Sequence, residues 1–250
     1  MQQFVERASN YRLMNQQTDP MGQAINDYWR TGKTGRLRVF SPMFEEDEMP
    51  LPLLFRTYED MPEIEQKALG MVRGKTLDVG AGAGCHSLVL QERGIDVTAI
   101  DISPLSVETM KARGVKKAFV QDFMTIDGQQ YDTILMLMNG IGIVGQLESL
   151  PTFFRHLDRV LAPGGQLLCD STDISYVFED EDGVIRYPEG DAYYGEITYR
   201  MRYKDIFGEP FPWLYIDAAT LRQVAGENGY WVEVVAEGEN DYYLAKITTL

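Results

Sequence analysis

Three carboxylates and three glycines carry the chemistry that can be read from this chain. Asp78 lies in the apolar run Thr76-Leu77-Asp78-Val79, and glycines follow at every second position, Gly80, Gly82 and Gly84. Apolar residues then recur at Leu88, Val89 and Leu90 until Gly94 stops the pattern. The order predicts strand, glycine turn, helix. Such a turn at the carboxyl end of a parallel strand is where open α/β sheets take nucleotide-like ligands. Asp101 closes a second apolar run, 19 residues after Gly82. A carboxylate there can accept hydrogen bonds from both hydroxyls of a ribose. Asp122 closes a third segment, Ala118 to Phe123.

Two cofactor classes use this arrangement, and spacing separates them. The dinucleotide fingerprint G-x-G-x-x-G needs a third glycine where Cys85 stands, so the fit to a nicotinamide dinucleotide is imperfect. The run Asp78-Val79-Gly80-Ala81-Gly82-Ala83-Gly84 resembles motif I of the class I, Rossmann-like, S-adenosylmethionine (SAM) dependent methyltransferases. Later landmarks match the same family in order and spacing: Asp101, the segment ending in Asp122-Phe123, the strand Tyr131 to Met138 opening into Asn139-Gly140, and the turn Pro163-Gly164-Gly165 before another apolar strand. The resemblance covers about residues 70 to 172.

That resemblance implies SAM as cofactor, cradled by Asp78, Gly80, Ala81, Gly82 and Gly84, with Asp101 on the ribose and Ile102 and Gln121 beside it. It assigns Asp122 to the adenine amino group, the Phe123 backbone N–H to the ring, and Met138, Asn139 and Gly140 to the loop beneath the cofactor. In this family, segments before the first strand fold over the cofactor. Arg56 is therefore a candidate for the SAM carboxylate, since a guanidinium fork matches a carboxylate bidentately; a surface role is the alternative.

The elements that must hold these residues alternate: strand 76–79, helix 85–93, strand 96–101, helix 104–113, strands 118–120 and 132–138, helix 150–161, strand 166–171. Alternation of this kind demands a doubly wound, mostly parallel sheet with helices on both faces. The resemblance implies seven strands, the last antiparallel, with 231–236 and 242–248 as the sixth and seventh. Residues 61–250 form the expected α/β domain and residues 1–60 an N-terminal cover. In that cover we expect helices at Phe4–Arg12 and Met21–Trp29, a solvated acidic loop at Glu45–Glu48, and extended chain at Pro50–Arg56. An insertion at about 174–215 follows the fifth strand. It holds a strand over Tyr194–Tyr203, with Ile197, Tyr199, Met201 and Tyr203 on one face, and an aromatic loop over Phe207–Tyr215. Loops at strand ends carry binding groups, so Tyr176, Tyr203 and Trp213, with Tyr28 and Trp29 from the cover and His86 beside the glycine turn, are the acceptor candidates.

Composition narrows the class. The chain has 250 residues, a net charge of −15 and a pI near 4.5, which opposes adhesion to nucleic acid or anionic membrane. No apolar run is long enough to span a membrane, and the start lacks a secretion pattern, so a cytoplasmic location is expected. Two histidines and two unclustered cysteines point away from a metal site. His156 is expected on a helix surface. Displacement at a sulfonium methyl needs no fixed triad, and a base only if the acceptor must lose a proton. His86, Asp173 and Tyr176 could serve, and no spacing singles one out. The expected function is methyl transfer to a small-molecule acceptor. A nicotinamide-dependent oxidoreductase and a SAM-binding protein without transferase activity are the alternatives, and oligomeric state is open.

Overall fold

The computed structural model describes residues 13–33, 35–187, 190 and 192–250, so the helix expected over Phe4–Arg12 lies outside the described residues. The first helix, α1 (Pro20–Thr31), opens on Asp19, whose side chain accepts the Gly22 N–H, with Pro20 just inside the start. Gly32 closes it in the left-handed conformation. Two short strands follow, β1 (Leu37–Phe40) and β2 (Asp47–Glu48). The segment after Pro50 is a 3-10 turn over Leu51–Phe55 rather than extended chain, because Pro50 and Pro52 occupy its cap and first turn, where a missing N–H costs nothing.

Helix and strand then alternate through α2 (Glu63–Met71), β3 (Thr76–Val79), α3 (Cys85–Glu92), β4 (Val97–Asp101), α4 (Pro104–Arg113), β5 (Ala118–Val120), β6 (Tyr131–Met136), α5 (Leu150–Val160) and β7 (Leu161–Thr172). The remainder comprises β8 (Glu196–Tyr203), β9 (Ile206–Phe207), β10 (Phe211–Leu214), α6 (Ala218–Glu227), β11 (Tyr230–Glu237) and β12 (Tyr242–Thr249). The large sheet has the order β11-β12-β7-β6-β3-β4-β5. Its five strands from β3 to β7 pair in parallel, and β12 runs antiparallel to both β7 and β11. All four residues of β3 are buried, as a strand covered on both faces requires. One face packs on α5 and α6 through Phe153, Phe154, Leu157 and Leu221; the other packs on α2 and α3 through Ile64, Leu69, Val89 and Leu90.

A second sheet, ordered β10-β8-β1-β2 with β9 beside β8, joins the two segments that the sequence shows as separate cover and insertion. Leu37 pairs with Tyr203 and Phe40 with Arg200. Alternation along β8 is as expected: Ile197 and Tyr203 are buried, whereas Thr198 and Arg200 are exposed. The stretch expected as an aromatic loop carries β9 and β10, since Phe211, Trp213 and Leu214 suit a half-buried pleat and Pro212 is tolerated on an edge strand. No helix among the described residues is long and apolar enough to cross a membrane.

Phe154 is fully buried between Phe153 and Tyr230, with ring centroids 5.6 and 5.0 Å away. Phe154→Ala is expected to cost about 3–5 kcal/mol in urea denaturation. Trp29→Ala, at a side chain 43% exposed, is expected to stay within about 0.5 kcal/mol.

Candidate active site

The glycine turn divides its labour. A Cβ at Gly84 (φ +80°) would meet Met110 Cγ and Val115 Cγ2 at 3.0 Å, so this residue lets α3 seat against α4 and the segment after it. Gly82 (φ +56°) has nothing within 4 Å of such a Cβ and lies on the wall of a cavity of about 1090 Å³. Its N–H donates to Asp101 Oδ2 at 2.9 Å, while Ser103 N–H donates to Oδ1 at 2.8 Å. Burial pushes the Asp101 carboxyl up to about 6, and these two N–H groups moderate the rise. Asp78 is raised by burial too, held back by His86 and by the Ser87 hydroxyl, which donates to Oδ2 at 2.6 Å.

Two acceptors on the same wall lack a donor. Asp122 Oδ1 takes the Met124 N–H at 2.9 Å, but Oδ2 is buried and unpartnered, as is Asn139 Oδ1. A buried acceptor without a partner is costly, and a donor-bearing ligand in the cavity would complete both. An adenine amino group fits the first by its chemistry.

The loop after β6 is strained and clamped. Met138 and Asn139 sit at φ +67° and +60°, where residues with a Cβ are unfavourable. Asp170, buried at the end of β7, accepts the N–H groups of Met138 (2.9 Å) and Gly140 (2.8 Å) and the Tyr242 hydroxyl. Burial raises this carboxyl to about 6 against those three donors. Asp170 was missed in the sequence, where it reads as one more polar residue following an apolar strand.

Asp78, Gly80, Ala81, Gly82, Asp101, Ile102, Gln121, Asp122, Phe123, Met138, Asn139 and Gly140 all line the one cavity, as do the acceptor candidates His86 and Trp213. Gly84 and Arg56 do not. The Arg56 guanidinium instead gives Nη2 to both Glu65 oxygens, at 2.8 and 2.7 Å, and Glu65 Oε2 also meets His86 Nε2 at 2.8 Å. Burial works against a charged imidazole, yet Cys85, Glu65 and Asp78 together push His86 well above its ordinary value.

Four acceptor candidates lie off the cavity wall. Tyr203 is fully buried beneath α1 with its hydroxyl donating to Asp27 at 3.0 Å. Tyr28 packs on Phe55 at 4.8 Å, and Trp29 and Tyr176 are exposed. His156 is buried, not on the surface: its Nε2–H donates to the Phe123 carbonyl at 2.8 Å and its ring stands edge-on to Phe123, fixing that residue at the wall. The aromatic neighbour, 33 positions away, supplies the partner that helical spacing alone hides.

Residues 13–15 and Asp19 on the wall had no sequence signal. Met14 N–H donates to the Ile102 carbonyl at 3.0 Å, bringing residues 13–15 over the cavity. Asp19, fully buried, takes the Gly22 N–H at 2.7 Å and the Ser103 hydroxyl, tying the start of α1 to the start of α4. Ser103 reads as a helix cap from the sequence; that it meets Asp19, the cap of α1, is a tertiary fact. Opposite, Tyr199, Phe211, Trp213 and Tyr215 form an aromatic wall, with the Tyr199 and Tyr215 hydroxyls 3.0 Å apart. The acidic run Glu45–Glu48 is solvated as expected, and it also lines the cavity mouth, with Glu46 paired to Arg38 and Glu48 to Arg36.

Two outcomes follow from this geometry. A Cβ on Gly142 would stand 2.1 Å from Trp213 Nε1, so Gly142→Ala is expected to shift tryptophan emission and cost about 1–3 kcal/mol of stability. Trp29 and Trp231 are already exposed and contribute no comparable shift. Secondly, the raised Asp101 carboxyl adds stability that is complete below about pH 4 and lost as pH climbs through about 6. The Tm of Asp101→Asn minus that of wild type is therefore expected to rise between pH 4 and pH 7 in thermal melts, and a flat difference would contradict the assignment.

A family model described as a methyltransferase domain matches residues 77–169. The crystal structure of a SAM-dependent methyltransferase from Bacteroides fragilis in complex with S-adenosyl-L-homocysteine is 52% identical, covering 96% of this chain and 98% of that one with a TM-score of 0.91. Among curated proteins, the cypemycin N-terminal methyltransferase of a Streptomyces species is 30% identical over 109 residues, 40% of this chain and 43% of that protein. The putative methyltransferase YqeM of Bacillus subtilis is 32% identical over 117 residues, 43% and 47% of the two chains. The chain thus aligns with less than half the length of these curated relatives. With a full-length relative of this identity and the strand-end carboxylates arranged around one cavity, the chain belongs to the SAM-dependent methyltransferase family.

Proposed function

We propose that this protein transfers the methyl group of SAM to a small-molecule acceptor held between the glycine turn and the aromatic wall. The observation that carries the reading is Asp122 Oδ2, buried and without a donor on the same cavity wall as Asp101 and the glycine turn. In this reading Asp122 receives the adenine amino group, Asp101 the ribose hydroxyls, and the loop at Met138–Gly140 the amino acid end. His156 holds Phe123, and Asp170 holds the strained loop, so both act as positioning residues. SAM supplies a sulfonium methyl that a nucleophile displaces in line. The chain's own task is then to place that nucleophile and exclude water.

A cavity near the upper end of the range for single-ligand pockets suits a cofactor and an acceptor together. Residues 1–60 and the insertion at 174–215 would act as the acceptor-side cover on an α/β domain of residues 61–250. Both cysteines are free and buried, which agrees with a cytoplasmic setting, and the net charge of −15 disfavours nucleic acid as partner. The cypemycin enzyme's name and the quinone O-methyltransferases among more distant relatives show that similar sheets serve different acceptors.

Calorimetry with SAM, S-adenosylhomocysteine and NADH tests the reading. S-adenosylhomocysteine is expected to bind, NADH is not, and Asp122→Ala is expected to weaken binding by about tenfold or more, the worth of one hydrogen bond to a buried acceptor. Preference for NADH would overturn the proposal.

A further inference from the structure

We infer that the acceptor is a basic amine on an apolar body, methylated at nitrogen. This rests on the methyl transfer proposed above. Among the described residues, no lysine or arginine lines the cavity, although the chain holds 23 of them. The carboxylates of the cofactor half face a ligand that is itself cationic. Those of the acceptor half have no such explanation. Glu45, Asp47 and Glu209 line the mouth, are exposed, and make no ion pair among the described residues. They belong, with Tyr199, Phe211 and Trp213, to the second sheet and its connecting loops, and all of them line the cavity. Aromatic faces beside unpaired carboxylates attract an organic ammonium ion and repel carboxylates and phosphates.

The attacked atom follows from what the wall does not offer. A hydroxyl acceptor must lose its proton to a base as it attacks. The acceptor half presents carboxylates, which are weak bases, and the phenols of Tyr199 and Tyr215, whose hydroxyls are 3.0 Å apart; burial, Tyr215 and Asp47 make Tyr199 hold its proton more tightly than usual. His86, the imidazole on the wall, is tied to Glu65 through Nε2. An amine needs no such base, because its neutral fraction carries a lone pair. That pair attacks the methyl carbon, the carbon–sulfur bond breaks with its electrons passing to sulfur, and S-adenosylhomocysteine leaves. The amine gains one methyl and releases one N–H proton to water at the open, carboxylate-lined mouth.

The test uses the full chain saturated with S-adenosylhomocysteine, and two probes of equal shape: choline, which is cationic, and 3,3-dimethylbutanol, which is neutral. Choline is expected to bind at least about tenfold tighter, and the preference to shrink severalfold in the Asp47→Asn, Glu209→Gln double variant, whose affinity for S-adenosylhomocysteine stays at the wild-type value. A second arm incubates enzyme and methyl-labelled SAM with matched amines and alcohols. Label on amines, with kcat/KM rising as pH approaches the amine's own pKa, supports the inference. Equal binding of the two probes, or label on alcohols alone, overturns it while leaving methyl transfer intact. If S-adenosylhomocysteine itself does not bind, both proposals fall.

Discussion

The structure depends on carboxylates held, buried or half-buried, at the ends of neighbouring parallel strands and only partly satisfied there. Asp101 takes two backbone N–H groups and Asp122 one, and each keeps acceptor capacity directed at a common cavity. A buried carboxylate with too few donors drifts toward the neutral form, and one with a full set has nothing left for a ligand. The fold lies between those limits. Its parallel register brings the ends of β3, β4 and β5 to one edge, and the left-handed conformation of Gly82 goes with an N–H that reaches Asp101.

The same logic extends away from the cofactor half. Asp170 takes three donors and holds two residues in a left-handed conformation that they would not adopt alone. Glu65 sits between Arg56 and His86, so the guanidinium is neutralised off the cavity wall and the imidazole that lines it is paired from behind. The acidic character of the wall is thus a property of how the buried charges are paired, and not of net charge alone. The second sheet contributes aromatic residues of β8 and β10 to the same cavity, with Trp213 against Gly142 in the loop after β6.

What could be read from the sequence was local. Strands β3 and β5 and helix α4 fall at the residues that pattern and caps indicate, since Ser103-Pro104 starts α4 and Gly114 ends it in the left-handed form. The order of acidic strand ends was legible because each lies within a few residues of its glycine or turn signal. Long-range facts were not. Nothing near Leu37 announces that it pairs with Tyr203; of the six acceptor candidates His86 and Trp213 line the cavity, whereas Tyr28, Trp29, Tyr176 and Tyr203 lie off its wall, where Tyr199, Phe211 and Tyr215 accompany Trp213. Arg56 illustrates the same limit: a lone arginine suggests a carboxylate, but its carboxylate is Glu65, nine residues on. His156 was legible as a helix residue and Ser103 as a helix cap, while their partners, Phe123 and Asp19, come from other elements.

A crystal structure with S-adenosylhomocysteine tests the central claim most directly. The account predicts the adenine amino nitrogen within about 3.2 Å of Asp122 Oδ2, with Asp101 receiving the ribose hydroxyls while keeping its Gly82 and Ser103 contacts. An adenine ring bound elsewhere, with Asp122 Oδ2 still lacking a donor, would contradict it.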